Sequence, residues 1–315
     1  MGVTTQDIFG GDSGAQPALP GTYGQAPTGY RLPQATRLGR VVLQVSDLER
    51  SVRFYEDVLG FSTHRRDGGT ALLTAHGSDR VIVELRERKG ARPVAGRGRL
   101  GLFHFAILMP DRPSLARFVR HLGEIGARAG AGDHLVSEAF YMNDPDGLGI
   151  EIYADRPRAS WRRMGRELMM ATDPVDVQDL VAVAGAQRWA GMPDGTTIGH
   201  VHLHVGDIAR ASAFYFDAVG FDKVVWSYPG ALFFGAGGYH HHLGTNTWAG
   251  PNAPSAADDE ARLVEWTIEV PAPSDVVAFA ASIAKGGFTA VPDVATKDAV
   301  ARDPWGTQLR VRASS

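Results

Sequence analysis

The chain has 315 residues, 44% of them hydrophobic and 21% charged, the balance of a soluble globular protein with room for two domains. A net charge of −3 without any basic block does not recommend nucleic acid or an anionic membrane surface as a partner. With no cysteine, the sequence excludes disulfides, thiolate metal ligands and cysteine nucleophiles. No apolar run is long enough to span a bilayer, and the N-terminus lacks the charged start and apolar core of a secretory signal, so the expected location is cytoplasmic.

Residues 1–37 begin rich in Gly, Pro, Thr and Gln and read as a flexible arm. A first module starts at Leu38 with alternating apolar residues, which predict a strand. A helix follows and ends near Gly60, and strands are expected over Ala71–Thr74 and Val81–Leu85. A polar, Gly-rich connection spans residues 87–99. The second module opens with the strand LGLFHFAILMPD. Its helix runs Pro113–Gly126, with Leu115, Phe118, Val119, Leu122 and Ile125 at helical spacing. The segment His134–Tyr141, a turn at Asp144–Gly147 and the strand Gly149–Tyr153 complete it. Residues 156–197 link the halves and are expected to hold short helices.

The third module, starting at Ile198, is a near copy of the first. IGHVHLHVGDIARASAFYFDAVGF matches LGRVVLQVSDLERSVRFYEDVLGF in its glycines, its alternating core, its aspartate, its Phe-Tyr pair and its closing Gly-Phe. Asp207 stands where a helix N-cap belongs and Gly220 where a C-cap belongs. The fourth module has a helix over Asp275–Lys285 and a turn at Asp303–Gly306 that matches the turn of module two. The expected fold class is therefore α+β, built from four βαβββ modules of two kinds. Strands and helices alternate too irregularly for a doubly wound parallel sheet.

Three places carry chemistry. His200, His202 and His204 share one face of a strand; a solvated polar face is the plain alternative reading. Module one has Arg40, Val42 and Gln44 at those positions, so the scaffold does not need the histidines. His104 lies on an otherwise apolar strand, and Glu151 lies between Ile150 and Ile152, where an unpaired carboxylate is costly. The run His240, His241 and His242 has no counterpart in module one. All of these fall in the inner modules two and three. The outer modules keep the turns and apolar positions and lose the polar candidates, as in a duplicated scaffold with one active site. Two histidines and a carboxylate on one side of a metal are the arrangement of non-heme Fe(II) oxygenases, although Zn, Mn and Ni accept the same ligands.

These motifs resemble the vicinal oxygen chelate superfamily, which spans glyoxalases, bleomycin-resistance proteins and extradiol dioxygenases. GYHHHLGTNTW and DHLVSEAFYMNDPDGLGIEIYADRP are similar to two-domain catechol 2,3-dioxygenase-like proteins. The resemblance implies two such domains, 38–155 and 198–313, with cupped mixed sheets. It implies Fe(II), with Mn(II) as the other candidate, held by His104, His200 and Glu151. His104 and His200 each lie seven residues before an aspartate, and Glu151 lies ten after Tyr141, as the family's ligands do. By the same resemblance Tyr141 hydrogen-bonds the substrate, His241 matches the distal acid–base histidine, and His134 is a second acid–base candidate. The implied partners are a small aromatic diol and O2, with extradiol cleavage to a 2-hydroxymuconic semialdehyde-type product and a homo-oligomeric assembly. Trp248 and Phe140 are candidates to stack on the ring, with core packing as the alternative for each.

The sequence departs from the family in one respect. Many members complete the ligand set within the last two modules, but here module four offers Glu265 and Arg310. A guanidinium cannot be a ligand. Modules two and three are therefore expected to pair with each other, and one with four. The rival arrangement keeps sequential pairing and uses His200, one of His240–His242, and Glu265. A glyoxalase-type lyase or isomerase and a non-enzymatic binding protein are the alternative functions on this scaffold.

Overall fold

The structure, a computed structural model, describes residues 2–94 and 98–314. Part of the Gly-rich connection expected at 87–99 lies outside the described residues.

Every module opens with a strand that runs into a helix. In three of them an aspartate closes the helix start: the side chains of Asp47, Asp111 and Asp207 accept from the backbone N–H of Arg50, Ser114 and Arg210. In modules one and three the α-helix widens into a π-helical turn, Phe54–Val58 and Ala213–Ala218. Gly60 and Gly220 follow with φ of 78° and 93°, a conformation glycine adopts without penalty. The matching turns of modules two and four share one device. Asp144 Oδ1 accepts from the backbone N–H of Asp146 and Leu148, and Asp303 Oδ1 from Trp305 and Thr307.

Two eight-stranded mixed sheets result, and each takes one module from either half of the chain. The inner sheet runs Asp222–Val225, Ala231–Gly235, Leu243–Asn246, Thr197–His204, Gly101–Leu108, Gly149–Asp155, Ser137–Asn143, Gly130–Asp133. The outer sheet runs Ala290–Asp293, Asp298–Arg302, Gln308–Ala313, Arg262–Val270, Arg37–Val45, Val81–Glu87, Thr70–Thr74, Ser62–Asp67. In both, the two opening strands meet antiparallel at the centre. The spans 38–155 and 198–313 are thus halves of the sequence, and the sheets are shared across them. Apolar side chains from both sheets and their helices merge into one large core cluster that includes Tyr55, Phe105, Phe118, Phe214, Trp266 and Phe279. Among the described residues no helix is long and apolar enough to cross a membrane.

The outer cup is filled by ion pairs. Glu265 is buried and bonds Arg310 at 2.8 Å, and Arg310 also reaches Asp293 and Asp298. Arg40 and Arg86 share Glu84 at 3.2 and 2.6 Å.

The N-terminal stretch expected to be a flexible arm is instead tied to the fold. Gln16–Pro17 pairs with Arg162–Met164, which pairs with Glu167–Leu168, so the linker supplies the strands the arm needs. Thr5 donates to Asp173 through its backbone N–H (2.9 Å) and its hydroxyl (2.5 Å), and Thr172 N–H donates to the Val3 carbonyl. These bonds satisfy backbone groups that the composition of the arm left unassigned. The expected linker helices are short: a 3-10 turn at Arg158–Ser160 and a helix at Val177–Ala182.

Arg310→Leu strips Glu265 of its cation while leaving the carboxylate buried. Unfolding in urea should show a loss of roughly 3 kcal/mol, the lower end of the range for breaking a buried pair. The double variant Arg310→Leu/Glu265→Leu should regain only part of it, because the buried Glu265 charge is then gone but Asp293 and Asp298 still lack their cation.

Candidate metal centre

The central seam of the inner sheet sets the site. Across neighbouring strands His200 pairs with Ala106, Ala106 with Glu151, and Glu151 with Tyr141. Residues paired in this way point to the same face, so these four form one row across the cup. His104 lies two positions before Ala106 and so shares that face. Ala106 is fully buried, in one apolar cluster with Ala139 and Tyr153, between the strands that carry His200 and Glu151.

The donor atoms converge. Glu151 Oε2 lies 3.0 Å from His104 Nε2 and 3.1 Å from His200 Nε2, and the three donors lie within 4.8 Å of one another. All three residues are buried. Burial lowers the pKa of both imidazoles. Burial raises that of Glu151, but the two histidines outweigh it and hold the carboxylate well below its usual range. The resulting set is one anionic and two neutral donors, the forms that bind a cation. His104 Nε2 and Glu151 Oε1 are buried without a hydrogen-bond partner, as expected of atoms arranged for a metal. Imidazole and carboxylate fit a divalent first-row ion and leave further coordination positions free. The rival set does not form, because Glu265 lies in the other sheet and is engaged with Arg310.

The donors sit in a cavity of about 460 Å³. Its walls include Phe103, Tyr228, Phe233, Met170 and Trp248, and its described lining holds no lysine or arginine. Val3 of the arm and Ala171 and Thr172 of the linker close one side. Trp248 faces the cavity and is edge-on to Phe103, with ring centroids 5.8 Å apart. Phe140 is packed in the core and not in the cavity wall, so the core alternative holds for it.

The three histidines of the run have three different tasks. His242 accepts from the Ala236 backbone N–H at 3.2 Å and stacks on Phe221; burial lowers its pKa to about 3. His240 is fully buried and bonds Asp155 at 2.8 Å. His241 faces the cavity with its ring 4.0 Å from that of His200, and burial pushes its pKa well below the usual value. Tyr141 and His134 also line the cavity. His134 Nδ1 donates to the Ala171 carbonyl at 2.7 Å, so in the neutral ring Nε2 is an acceptor. Tyr141 therefore donates its hydroxyl proton to that nitrogen, 2.5 Å away, and its oxygen is left to accept from the cavity side.

Sequence reasoning did not find Ala106, Phe103, Tyr228 or the contributions of the arm and linker. Ala106 is one more small residue in an apolar strand, and only the register reveals its place. His202 was visible as part of the histidine face; it lines the cavity and accepts from Asn246 Nδ2 at 2.9 Å.

Cupped sheets of paired βαβββ modules around a His/His/Glu cluster define a class of protein. A model of the Glyoxalase/Bleomycin resistance protein/Dioxygenase superfamily matches residues 37–152 and 197–311, and the chain belongs to this family. It is 45% identical over 258 residues to Catechol-2,3-dioxygenase of Bacillus subtilis (strain 168), covering 81% of this chain and 90% of that protein. Its fold is similar to the crystal structure of a putative dioxygenase from Bacillus subtilis subsp. subtilis str. 168, with a TM-score of 0.64, 14% identity, and coverage of 90% and 86%. It is also similar to glyoxalase I from Zea mays, with a TM-score of 0.51, 18% identity, and coverage of 88% and 92%.

His104→Ala, Glu151→Ala and His200→Ala should each abolish stoichiometric metal binding, measured by elemental analysis, while far-UV circular dichroism stays unchanged. Ala106→Ile should lower occupancy with His104, Glu151 and His200 intact, because the added carbons overpack the row between His200 and Glu151.

Proposed function

We propose that this protein is an Fe(II)-dependent extradiol dioxygenase that cleaves catechol or a substituted catechol with O2. The observation that carries the reading is the buried His104–Glu151–His200 cluster at the base of an aromatic cavity, with His241 directly against it. The 45% identity to a relative named as a catechol dioxygenase supports it. A glyoxalase-type reaction needs about four protein ligands. Among the described residues the cluster has three, leaving room for a diol and O2 on the same ion.

Iron held by His104, Glu151 and His200 would supply Lewis-acid chemistry that lowers the pKa of a bound diol. The chain's own residues do the rest. His241, neutral and beside the ligands, takes the proton that a diol hydroxyl releases on binding and returns it later as an acid. Tyr141, with its proton committed to His134, accepts a hydrogen bond from a diol hydroxyl and orients the ring. Phe103, Phe233 and Trp248 form aromatic walls against which the diol ring packs.

Anaerobic reconstitution with Fe(II), followed by O2 and catechol or its ring-substituted forms, should yield a yellow ring-opened product; colourless mixtures with all of them from fully loaded protein would exclude the reaction. His241→Ala should keep its iron and lose turnover by about 10²–10⁴-fold, the usual range for a general acid–base group. Tyr141→Phe should also keep its iron and turn over more slowly. Unchanged kinetics in Tyr141→Phe would reduce that residue to packing.

A further inference from the structure

His241 is joined to the protein surface by a chain of hydrogen bonds. Its Nδ1 lies 2.7 Å from His240 Nδ1, and His240 Nε2 lies 2.8 Å from Asp155 Oδ1. Asp155 ends the strand that carries Glu151, four positions on and on the same face. Its side chain is 29% exposed, whereas His240 is fully buried. A second donor, the Tyr239 hydroxyl, reaches the same Asp155 oxygen at 3.2 Å, and Tyr153 bonds Tyr239 behind it at 2.7 Å. Among the described residues His241 Nε2 has no hydrogen-bond partner, and the ring lines the cavity.

From this geometry we infer that Asp155 and His240 are positioning residues that hold His241 in one tautomer. The inference rests on the dioxygenase reading for its consequence but not for its geometry. A carboxylate only accepts hydrogen bonds, so His240 must carry its proton on Nε2. In the neutral ring His240 Nδ1 is then a lone pair. Only one proton fits between two facing Nδ1 atoms, so it belongs to His241. That leaves His241 Nε2 unprotonated, as the nitrogen free to take a proton from a substrate hydroxyl. Without Asp155, His240 can turn its own Nδ1–H toward His241, which moves the His241 proton to Nε2 and removes the base. The carboxylate thus acts through an intervening imidazole and touches neither substrate nor metal.

The test reads tautomers directly. The full chain, labelled with ¹⁵N-histidine and loaded with diamagnetic Zn(II), gives long-range ¹H–¹⁵N correlations, with His240 and His241 assigned from the patterns lost in His240→Gln and His241→Gln. The expected pattern is a protonated Nδ1 and bare Nε2 for His241, and the reverse for His240. In Asp155→Asn both patterns should shift toward the other tautomer. With Fe(II) the same variant should lose about 10–100-fold in kcat, less than loss of the base itself, with KM for catechol and iron content unchanged. Asp155→Glu should recover part of that loss. A wild-type His241 protonated on Nε2 would overturn the inference, as would Asp155→Asn with kcat within about twofold of wild type. Wild-type protein that shows the expected tautomers but does not cleave catechol would instead overturn the dioxygenase reading and leave the positioning intact.

Discussion

The site depends on one seam, the antiparallel pairing of Gly101–Leu108 with Thr197–His204. The register places His200 opposite Ala106. The parallel partner of the same strand then places Glu151 on the other side of Ala106. A slip of one residue would turn either ligand to the opposite face of the sheet. A bulge between Ile198 and His200 is part of this register. The cluster is therefore a property of strand pairing more than of any loop, and sites built on regular elements are held more closely than sites on loops.

The two cups are the same scaffold with two solutions to buried charge. In the inner cup Glu151 is left facing two imidazoles, with one oxygen and two nitrogens, Glu151 Oε1, His104 Nε2 and His200 Nδ1, unpartnered. In the outer cup Arg310 stands where Glu151 stands in the inner one, and Glu265 where His104 does. The two bond each other, and Gln308 and two aspartates complete the network. Charges that are paired with one another leave no charge for a ligand to satisfy. An incomplete set of partners is what a binding site looks like before its ligand is counted. The contrast explains why the chain carries a second cup with no matching histidines.

Much of this was legible in the sequence, and for physical reasons. The helix-starting aspartates, the glycines at positive φ and the aspartate-led turns are local chemistry, so each shows in a window of a few residues. The asymmetry between modules exposed His104, Glu151 and His200, because a repeat reveals which residues the fold does not require. What stayed hidden was non-local. The three-way division of labour among His240, His241 and His242 depends on the loop before Leu243–Asn246 and on its partners Asp155, Ala236 and Phe221. The arm looked loose because its partners, Arg162–Met164 and Asp173, lie in a linker with no pattern of its own.

Sharing each sheet between the two halves of the chain also bears on how the protein is made. Arg37–Val45 has Arg262–Val270, made much later in synthesis, as its central partner. Until that partner is made, the strand has one unpaired edge. Contacts so distant in sequence make for slow folding, and an open strand edge is a template for wrong partners. Neither half can complete a cup by itself, so the halves should mature together, with assembly of the His104–Glu151–His200 cluster among the last events.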